Sequence, residues 1–289
     1  MDGVLNIYKP SDITSFDVVR KVMKLCNTRK VGHTGTLDPL ASGVLPICIG
    51  RATKLVDYLM SETKVYTAQL MLGIETDTYD REGKIISERN VSISNEEILA
   101  AFNPFWGEIE QEPPMYSALK VNGKRLYELA RQGIIIERKK RKVTIYDLKI
   151  IDISLPIITF SVTCSKGTYI RSLCHDIGKI LGVGGTMWSL ERVQTGIFTK
   201  ENSIDLNLLN SDNISDYIIS VEDALSNYDA ISFNNRHEKL LLNGVKINNI
   251  NIIDHIEKNK LFRVYIDDNK FIGLGIRDDI GFKIIKLLI

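Results

Sequence analysis

The stretch GHTGTLDPLASGVLPICIG, residues 32–50, surrounds one carboxylate, Asp38, with small and turn-forming residues. Gly32, Gly35 and Gly43 permit backbone angles or close approaches that a β-carbon would prevent. The loop can therefore turn sharply and admit a large ligand. Glycine content alone would also fit an ordinary turn-rich connection. The stretch lacks the GK[ST] ending of a P-loop, so phosphate binding does not explain the aspartate.

The overall composition indicates a globular protein. Its 289 residues predict one large domain with a smaller companion. Hydrophobic residues make up 44% and charged residues 25%, which leaves enough apolar material for a core and excludes a disordered chain. No run of about 18 apolar residues occurs, and the first residues do not resemble a secretory signal. We therefore expect a cytoplasmic protein with no membrane partner.

The cysteines and histidines do not suggest a metal site. Cys26, Cys48, Cys164 and Cys174 include no C-x-x-C pair, and the four histidines are dispersed. We predict reduced, structural thiols, as in a reducing compartment, and no bound metal.

A basic segment is the main charge feature. The formal net charge of +1 neither demands nor excludes a polyanionic partner. From Lys120 to Val143, however, Lys and Arg strongly outnumber Glu. The run ERKKRK alone would fit a solvated turn between strands. Each basic side chain that neutralises a phosphate adds salt-dependent affinity, so the segment indicates a nucleic-acid contact if a catalytic site lies nearby.

Helix and strand signals interleave over the first 200 residues. Thr14 or Ser15 precedes a helical pattern, and Ser94 and Glu97 are in capping-box register. Residues 64–73 alternate as a strand does. The interleaved pattern predicts an α+β fold.

A polar segment predicts a domain boundary. Residues 201–230 are rich in Asn, Asp and Ser, and residues 261–288 contain three short β-type runs separated by turns. We predict a catalytic domain at 1–228 and a small all-β unit at 229–289, with few core contacts between them.

Six motifs occur in order: NIYKP (6–10), GHTGTLDPLASGVL (32–45), KVYTAQLMLGIETDTYDREG (64–83), PPMYSALKVNGKRLYELARQG (113–133), GTYIRSL (167–173) and SLERVQTG (189–196). This set resembles the bacterial TruB-type tRNA pseudouridine synthases, which isomerise a uridine in the T loop of tRNA. The resemblance implies the pseudouridine-synthase fold, built around a mixed, mostly antiparallel sheet. It also implies a PUA-like RNA-binding domain at the C-terminal end.

The resemblance implies that Asp38 is the catalytic carboxylate, either as a nucleophile toward the nucleoside or as a base on the ribose. The sequence leaves both routes open. The reaction moves the uracil from its N-glycosidic bond to a C5–C1′ bond without net redox change, so no cofactor is expected. Both routes need an ionised carboxylate, whose pKa burial would raise. The resemblance implies Arg171 as the partner that opposes this shift through bidentate hydrogen bonds.

The resemblance also implies the uridine-binding residues. Tyr66 would pack on the target base, Tyr169 would lie near the base and the proton transfer at C5, and Leu190 would form an apolar wall. His33 would fill the space left in the RNA loop when bases flip out. A base must leave its stack before its glycosidic bond can react. A tyrosine ring can replace that stacking, which contributes about 1–3 kcal/mol per base.

The basic segment resembles the RNA-clamping insertion of this family, at about residues 113–142. Lys120, Lys124, Arg125 and Arg131 are its predicted phosphate contacts, which position RNA without reading its sequence. The implied partner is the T arm of tRNA, recognised mainly by shape. We expect a monomer that requires no protein partner.

Two alternatives are weighed against this interpretation. A guide-dependent synthase of the dyskerin kind shares the aspartate motif and a PUA domain, but usually carries basic terminal extensions that are not seen here. The second alternative is a non-catalytic factor that binds tRNA or assists its folding. Asp38, Tyr66 and Arg171 are all present, which favours an enzyme.

Overall fold

The computed structural model describes residues 1–117, 119–121 and 123–289, so positions 118 and 122 of the predicted RNA-clamping insertion lie outside the described residues. The helices are α1 (Ser15–Leu25), α2 (Val56–Met60), α3 (Asn95–Phe102), α4 (Leu126–Arg131), α5 (Ile170–Ile180), α6 (Glu238–Leu242) and α7 (Ile250–Ile253). The strands are β1 (Gly3–Lys9), β2 (Val31–His33), β3 (Ser42–Ile49), β4 (Lys64–Leu72), β5 (Ile74–Thr76), β6 (Ile85–Glu88), β7 (Gly107–Gln111), β8 (Lys120–Val121), β9 (Lys124–Arg125), β10 (Arg141–Ser154), β11 (Ile157–Cys164), β12 (Gly185–Thr195), β13 (Phe198–Thr199), β14 (Ile204–Asp205), β15 (Ile218–Ile219), β16 (Asp229–Phe233), β17 (Leu261–Ile266), β18 (Lys270–Arg277) and β19 (Phe282–Leu287).

Across the described residues, eleven strands form one large sheet whose main path runs β14-β1-β3-β12-β4-β11-β10-β7. The pairs β1–β14 and β3–β12 are parallel. The other neighbours on this path pair antiparallel. The predicted α+β fold with a mixed, mostly antiparallel sheet is confirmed.

Two helix starts confirm their sequence signals. The Thr14 side chain accepts a hydrogen bond from the backbone N–H of Asp17, whose carboxylate accepts one from the Thr14 backbone N–H. Ser94 and Glu97 form the same reciprocal pair at the start of α3. Such capping boxes satisfy backbone donors that the first helical turn leaves unpaired. Within the described ranges, no helix is long and apolar enough to cross a membrane.

The large sheet has an apolar cluster on each face, because alternate strand residues point to opposite sides. Leu5 and Leu45 join the cluster that α1, α3 and α5 cover. Val4, Val44 and Cys48 join a second cluster. The first cluster also includes residues of α5, β4 and β12, so it fixes the elements that carry most of the predicted site.

The C-terminal unit packs on the second cluster. Leu274 and Leu288 are 0% and 5% exposed and belong to that cluster. Ala224 and Leu225, in the segment 201–230, are fully buried in it as well. The prediction that few core contacts cross the domain boundary is therefore wrong. The polar composition of the segment hid the apolar positions that form the interface.

The C-terminal unit contains a four-stranded sheet in the order β16-β17-β18-β19. Strands β16 and β17 are parallel and the other pairs are antiparallel. The short helices α6 and α7 belong to this unit in addition to the predicted strands.

We expect a chain truncated after Tyr228 to be less stable than the full chain, because removing Leu274 and Leu288 exposes the second cluster. Deleting a large buried apolar side chain lowers the free energy of unfolding by about 2–5 kcal/mol. A loss of about 1 kcal/mol lowers the thermal midpoint of a chain of roughly this size by about 2–4 °C. Thermal unfolding should therefore show a midpoint at least about 5 °C lower. The thermal midpoint of the full chain with Leu274→Ala should also be lower than that of the wild type. Equal midpoints for the truncated and full chains would show that the two units are thermodynamically independent.

Candidate active site

Asp38 lies in the loop between β2 and β3, and both of its chain neighbours are fixed. The Ser15 hydroxyl accepts a hydrogen bond from the Leu37 N–H (2.8 Å) and donates one to the Leu37 carbonyl (3.0 Å). The ammonium of fully buried Lys9 donates to the Pro39 carbonyl at 3.2 Å. The position of Asp38 is therefore determined by β1 and by the start of α1.

Arg192, on β12, holds both ends of the same loop. Its side chain is buried, and its Nε donates to the Val44 carbonyl (2.7 Å) while Nη2 donates to the Gly35 carbonyl (3.2 Å). A β-carbon on Gly43 would lie 2.2 Å from the Arg192 carbonyl oxygen, at a φ of 114°. The predicted need for glycine is thus confirmed at Gly43. Gly32 has no left-handed φ and has room for a β-carbon, so the prediction is wrong there.

Arg171 joins Asp38 to a second carboxylate. Its Nη2 donates to Asp38 Oδ1 at 3.2 Å, and its Nε lies 3.0 Å from Asp38 Oδ2 in an ion pair. Its Nη1 donates to Asp80 Oδ2 at 3.2 Å, and Nη2 also donates to the Tyr116 carbonyl at 2.8 Å. The side chains of Arg171 and Asp80 are each 6% exposed, whereas that of Asp38 is 32% exposed. One guanidinium therefore holds both acids while one of them stays open to a ligand.

Asp80 was not among the residues predicted for the site. It lies in the third motif, residues 64–83, and that membership was the available signal. Lys9 and Arg192 also lie in motifs and were not predicted. Local sequence does not distinguish these buried charges from solvated ones, because their partners come from distant segments.

Desolvation by burial raises the pKa of the Asp38 carboxyl, and the Arg171 charge opposes this effect. The negative charge of Asp80 raises this pKa further, and Lys9 lowers it. Although 32% of the Asp38 side chain is exposed, its carboxylate lies deep enough that desolvation is the largest effect on its pKa. A carboxylate in this setting is a stronger base than one on the surface, and the guanidinium favours its ionised form.

Tyr66 and Leu190 lie on the same face of neighbouring strands. In the register of β4 and β12, Tyr66 is opposite Arg192, and Leu190 is opposite Ala68. Tyr66 and Leu190 are each 9% exposed. Burial raises the pKa of the Tyr66 hydroxyl, an effect that Arg192 opposes. The ring is therefore a neutral, largely buried surface.

Tyr169 is the residue immediately before α5. Its backbone N–H donates to Gln111 Oε1 (2.7 Å), and its carbonyl accepts from Gln111 Nε2 (2.9 Å). This amide pair fixes the start of the helix that presents Arg171. Burial raises the pKa of Tyr169, and the negative charge of Asp38 adds to this effect. Tyr169 thus directly precedes the helix whose second residue, Arg171, contacts Asp38.

His33 lies at the end of β2 and is half-buried. Its Nδ1 accepts a hydrogen bond from the Gly35 N–H at 3.3 Å. Burial lowers the pKa of the imidazole, and the charge of Arg192 lowers it further. The side chain is therefore a neutral ring beside the Asp38 loop.

The four predicted phosphate contacts are exposed on the β8–β9 hairpin and on α4. Arg125 donates to the Tyr127 hydroxyl at 2.9 Å, and the Arg131 guanidinium lies 5.5 Å from the centre of the same ring. Lys120 is paired with Arg125 in the hairpin. Arg125 and Arg131 thus both contact the Tyr127 side chain, and Lys124 precedes Arg125 in β9.

A family model described as TruB family pseudouridylate synthase (N terminal domain) matches residues 22–170, and one described as tRNA pseudouridylate synthase B C-terminal domain matches residues 171–226. The chain belongs to the TruB family of pseudouridylate synthases. The resemblance seen in the motifs is confirmed, and so is the expectation of an enzyme. The boundary between the two TruB matches falls between Tyr169 and Arg171, which the structure places in one site.

Named relatives of the TruB family match over the whole chain. The tRNA pseudouridine synthase B of Clostridium novyi (strain NT) is 59% identical over 289 residues, with all of both chains covered. That of Alkaliphilus oremlandii (strain OhILAs) is 46% identical over 293 residues, covering 100% of this chain and 98% of the relative. A chain of the solved Cbf5-Nop10-Gar1 complex has a TM-score of 0.78 at 27% identity, covering 99% of this chain and 85% of that one.

We expect Arg192→Lys to lower kcat by about 100-fold, because a lysine has a shorter reach and cannot hold Gly35 and Val44 together. Misplacing a reacting group by about 1 Å can cost about this factor. RNA affinity should stay within a few-fold of the wild-type value, since Arg192 is buried and has no access to a phosphate. Single-turnover rates and equilibrium binding would separate these effects. A normal rate would show that Arg192 does not position the Asp38 loop.

Proposed function

We propose that the chain isomerises a uridine in the T loop of tRNA to pseudouridine, with Asp38 as the catalytic carboxylate. The observation that carries the proposal is the Arg171 guanidinium, which holds both oxygens of Asp38 and leaves the side chain 32% exposed. Relatives named tRNA pseudouridine synthase B, up to 59% identical over the full chain, support the substrate class.

The reaction balances without an external reagent. The bond from C1′ to uracil N1 breaks, the base turns, and C5 bonds to C1′. C5 then loses a proton, and N1 gains one. Asp38 either attacks the nucleoside or removes a proton from the ribose; both routes start from the ionised carboxylate. No metal or cofactor takes part in this proposal.

The remaining site residues bind the extruded nucleotide. The Tyr66 ring stacks on the uracil, Leu190 closes the pocket, and Tyr169 lies near the base where C5 loses its proton. Extrusion from the stacked loop is required before the glycosidic bond can react. His33, neutral because burial lowers its pKa, occupies the space that the flipped bases leave.

The basic insertion holds the T arm through its phosphates. Lys120, Lys124, Arg125 and Arg131 are exposed, as phosphate contacts must be. Such contacts contribute affinity that falls as salt rises. In this proposal residues 1–228 are catalytic, and residues 229–289 are a PUA-like RNA-binding unit. The enzyme acts as a cytoplasmic monomer and needs no protein partner.

The test uses T-arm RNA that carries tritium at C5 of its uridines. Reattachment through C5 releases this label to water, so the chain should release tritium from one uridine without added metal or cofactor. Size-exclusion chromatography with light scattering tests the monomer. RNA binding without release from any tRNA would show a binding or folding factor instead. Release that requires a guide RNA would show the dyskerin-type activity.

We expect kcat/KM to fall on the acid side of its pH profile with an apparent pKa above the ordinary aspartate value of about 3.9, because burial raises the pKa of Asp38. This acid side is called the acid limb below. The rate should fall as the pH falls through this raised value, since protonation removes the reactive carboxylate. Asp80→Asn should move the limb to lower pH, because the Asp80 charge raises the pKa of Asp38. Rates measured from about pH 4 to 8 locate the acid limb of the wild type and that of Asp80→Asn. An Asp80→Asn limb at higher pH than that of the wild type would contradict this electrostatic account.

A further inference from the structure

Helix α5 contacts two consecutive residues of the loop at 77–84. Arg171 and His175 are four residues apart, so they lie on the same side of the helix. The Arg171 guanidinium holds Asp80 at 3.2 Å. One turn further along, the His175 ring stacks on Tyr79, with ring centroids 4.0 Å apart and 14° between the planes.

The backbone of Tyr79 is in a conformation that few residues with a bulky side chain adopt. Its φ is 64°, in the left-handed region. Such a conformation persists where the surroundings determine it from several directions, and it is common near functional sites. Here the Met187 N–H of β12 donates to the Tyr79 carbonyl at 2.9 Å, and the ring is stacked on His175. The next residue in the chain is Asp80, so the direction of its side chain depends on this turn and on the hydrogen bonds that Asp80 Oδ1 accepts from the Thr78 hydroxyl (2.6 Å) and the Glu82 N–H (3.2 Å).

His175 has no assigned role in the chemistry, although it is half-buried. Among the described residues, its Nδ1 has no hydrogen-bond partner. Burial lowers the pKa of the imidazole, and the positive charge of Lys179 lowers it further. The negative charges of Asp176, Glu75 and Glu112 oppose this shift. The neutral ring thus serves as a flat packing surface for Tyr79.

We propose that the Tyr79–His175 stack is a positioning element for the reaction: it keeps Asp80 on Arg171, and so keeps Arg171 directed at Asp38. The inference rests on the proposed function. Neither ring contacts the reacting atoms, and both act through the ion pairs of Arg171. Loss of the stack lets the loop at 77–84 move and carries Asp80 away from Nη1.

The test compares four variants of the full chain: His175→Ala, Tyr79→Ala, His175→Phe and Tyr79→Phe. Each alanine variant should lose about 10-fold in kcat for tritium release, with KM for T-arm RNA within about two-fold. Each phenylalanine variant keeps a flat ring and should stay within about two-fold of the wild type. In the alanine variants the acid limb should move to lower pH, because the Asp80 charge that raises the pKa of Asp38 has moved away. A merely structural role would not shift this limb.

Wild-type kcat in His175→Ala would overturn the proposal, and so would an equal loss in His175→Phe. An effect on KM alone would overturn it as well, because the stack does not contact RNA in this account. If His175→Ala does not fold, Tyr79→Ala, which alters a half-exposed loop residue, decides the question by the same criteria. Absence of label release by the wild-type chain would refute the proposed function itself, and the positioning role with it.

Discussion

Asp38→Asn should abolish turnover while the affinity for T-arm RNA stays within a few-fold of the wild-type value. The amide is nearly isosteric with the carboxylate, and its oxygen can still accept from Arg171. It can neither attack the nucleoside nor take a proton as a carboxylate does. Removing the reactive group of an active site costs on the order of 10⁴-fold or more in kcat.

Tritium release and equilibrium binding would test this variant together. Asp57→Asn, which alters an exposed acid on α2, is the matched control and should behave as the wild type does. Appreciable turnover by Asp38→Asn would show that another group performs the chemistry. A large loss of RNA affinity would instead make Asp38 a binding residue.

Arg171→Lys should lower kcat by roughly 10³-fold with only a modest loss of RNA binding. Lysine keeps the positive charge but loses the planar fork. One ammonium cannot serve both oxygens of Asp38, the carboxylate of Asp80 and the Tyr116 carbonyl at the distances seen for Arg171. Asp38 then remains desolvated with a weaker and more mobile partner, so its direction toward the nucleotide is lost.

Single-turnover rates at saturating RNA measure the loss, and circular dichroism checks that Arg171→Lys is folded. Asp80→Asn is a milder variant for comparison with Arg171→Lys. It removes one charged partner of the Arg171 guanidinium but leaves both contacts between Arg171 and Asp38. We expect a smaller loss of rate for that variant. A wild-type rate in Arg171→Lys would show that the bidentate contact does not contribute to catalysis.

Local interactions were readable from the sequence. The capping boxes at Thr14 and Ser94 involve atoms only three residues apart, so the residue types and their spacing determine them. The alternation over residues 64–73 reports a strand with two different faces, and burial along β4 follows it. The six motifs identified the family, which its full-length relatives confirm. They also named Asp38 as the carboxylate of interest.

Contacts between distant segments were decided only by the tertiary structure. Arg171 is 133 residues from Asp38 and 91 from Asp80, and only the packing of α5 against the large sheet brings the three together. Residue type does not distinguish a buried Arg192 held by carbonyl groups from a solvated arginine. The same holds for Ala224 and Leu225, whose polar neighbours concealed a core between the two units. Hydrogen bonds within one turn depend on neighbouring residues, whereas burial and charge pairing depend on which surfaces the whole chain brings into contact.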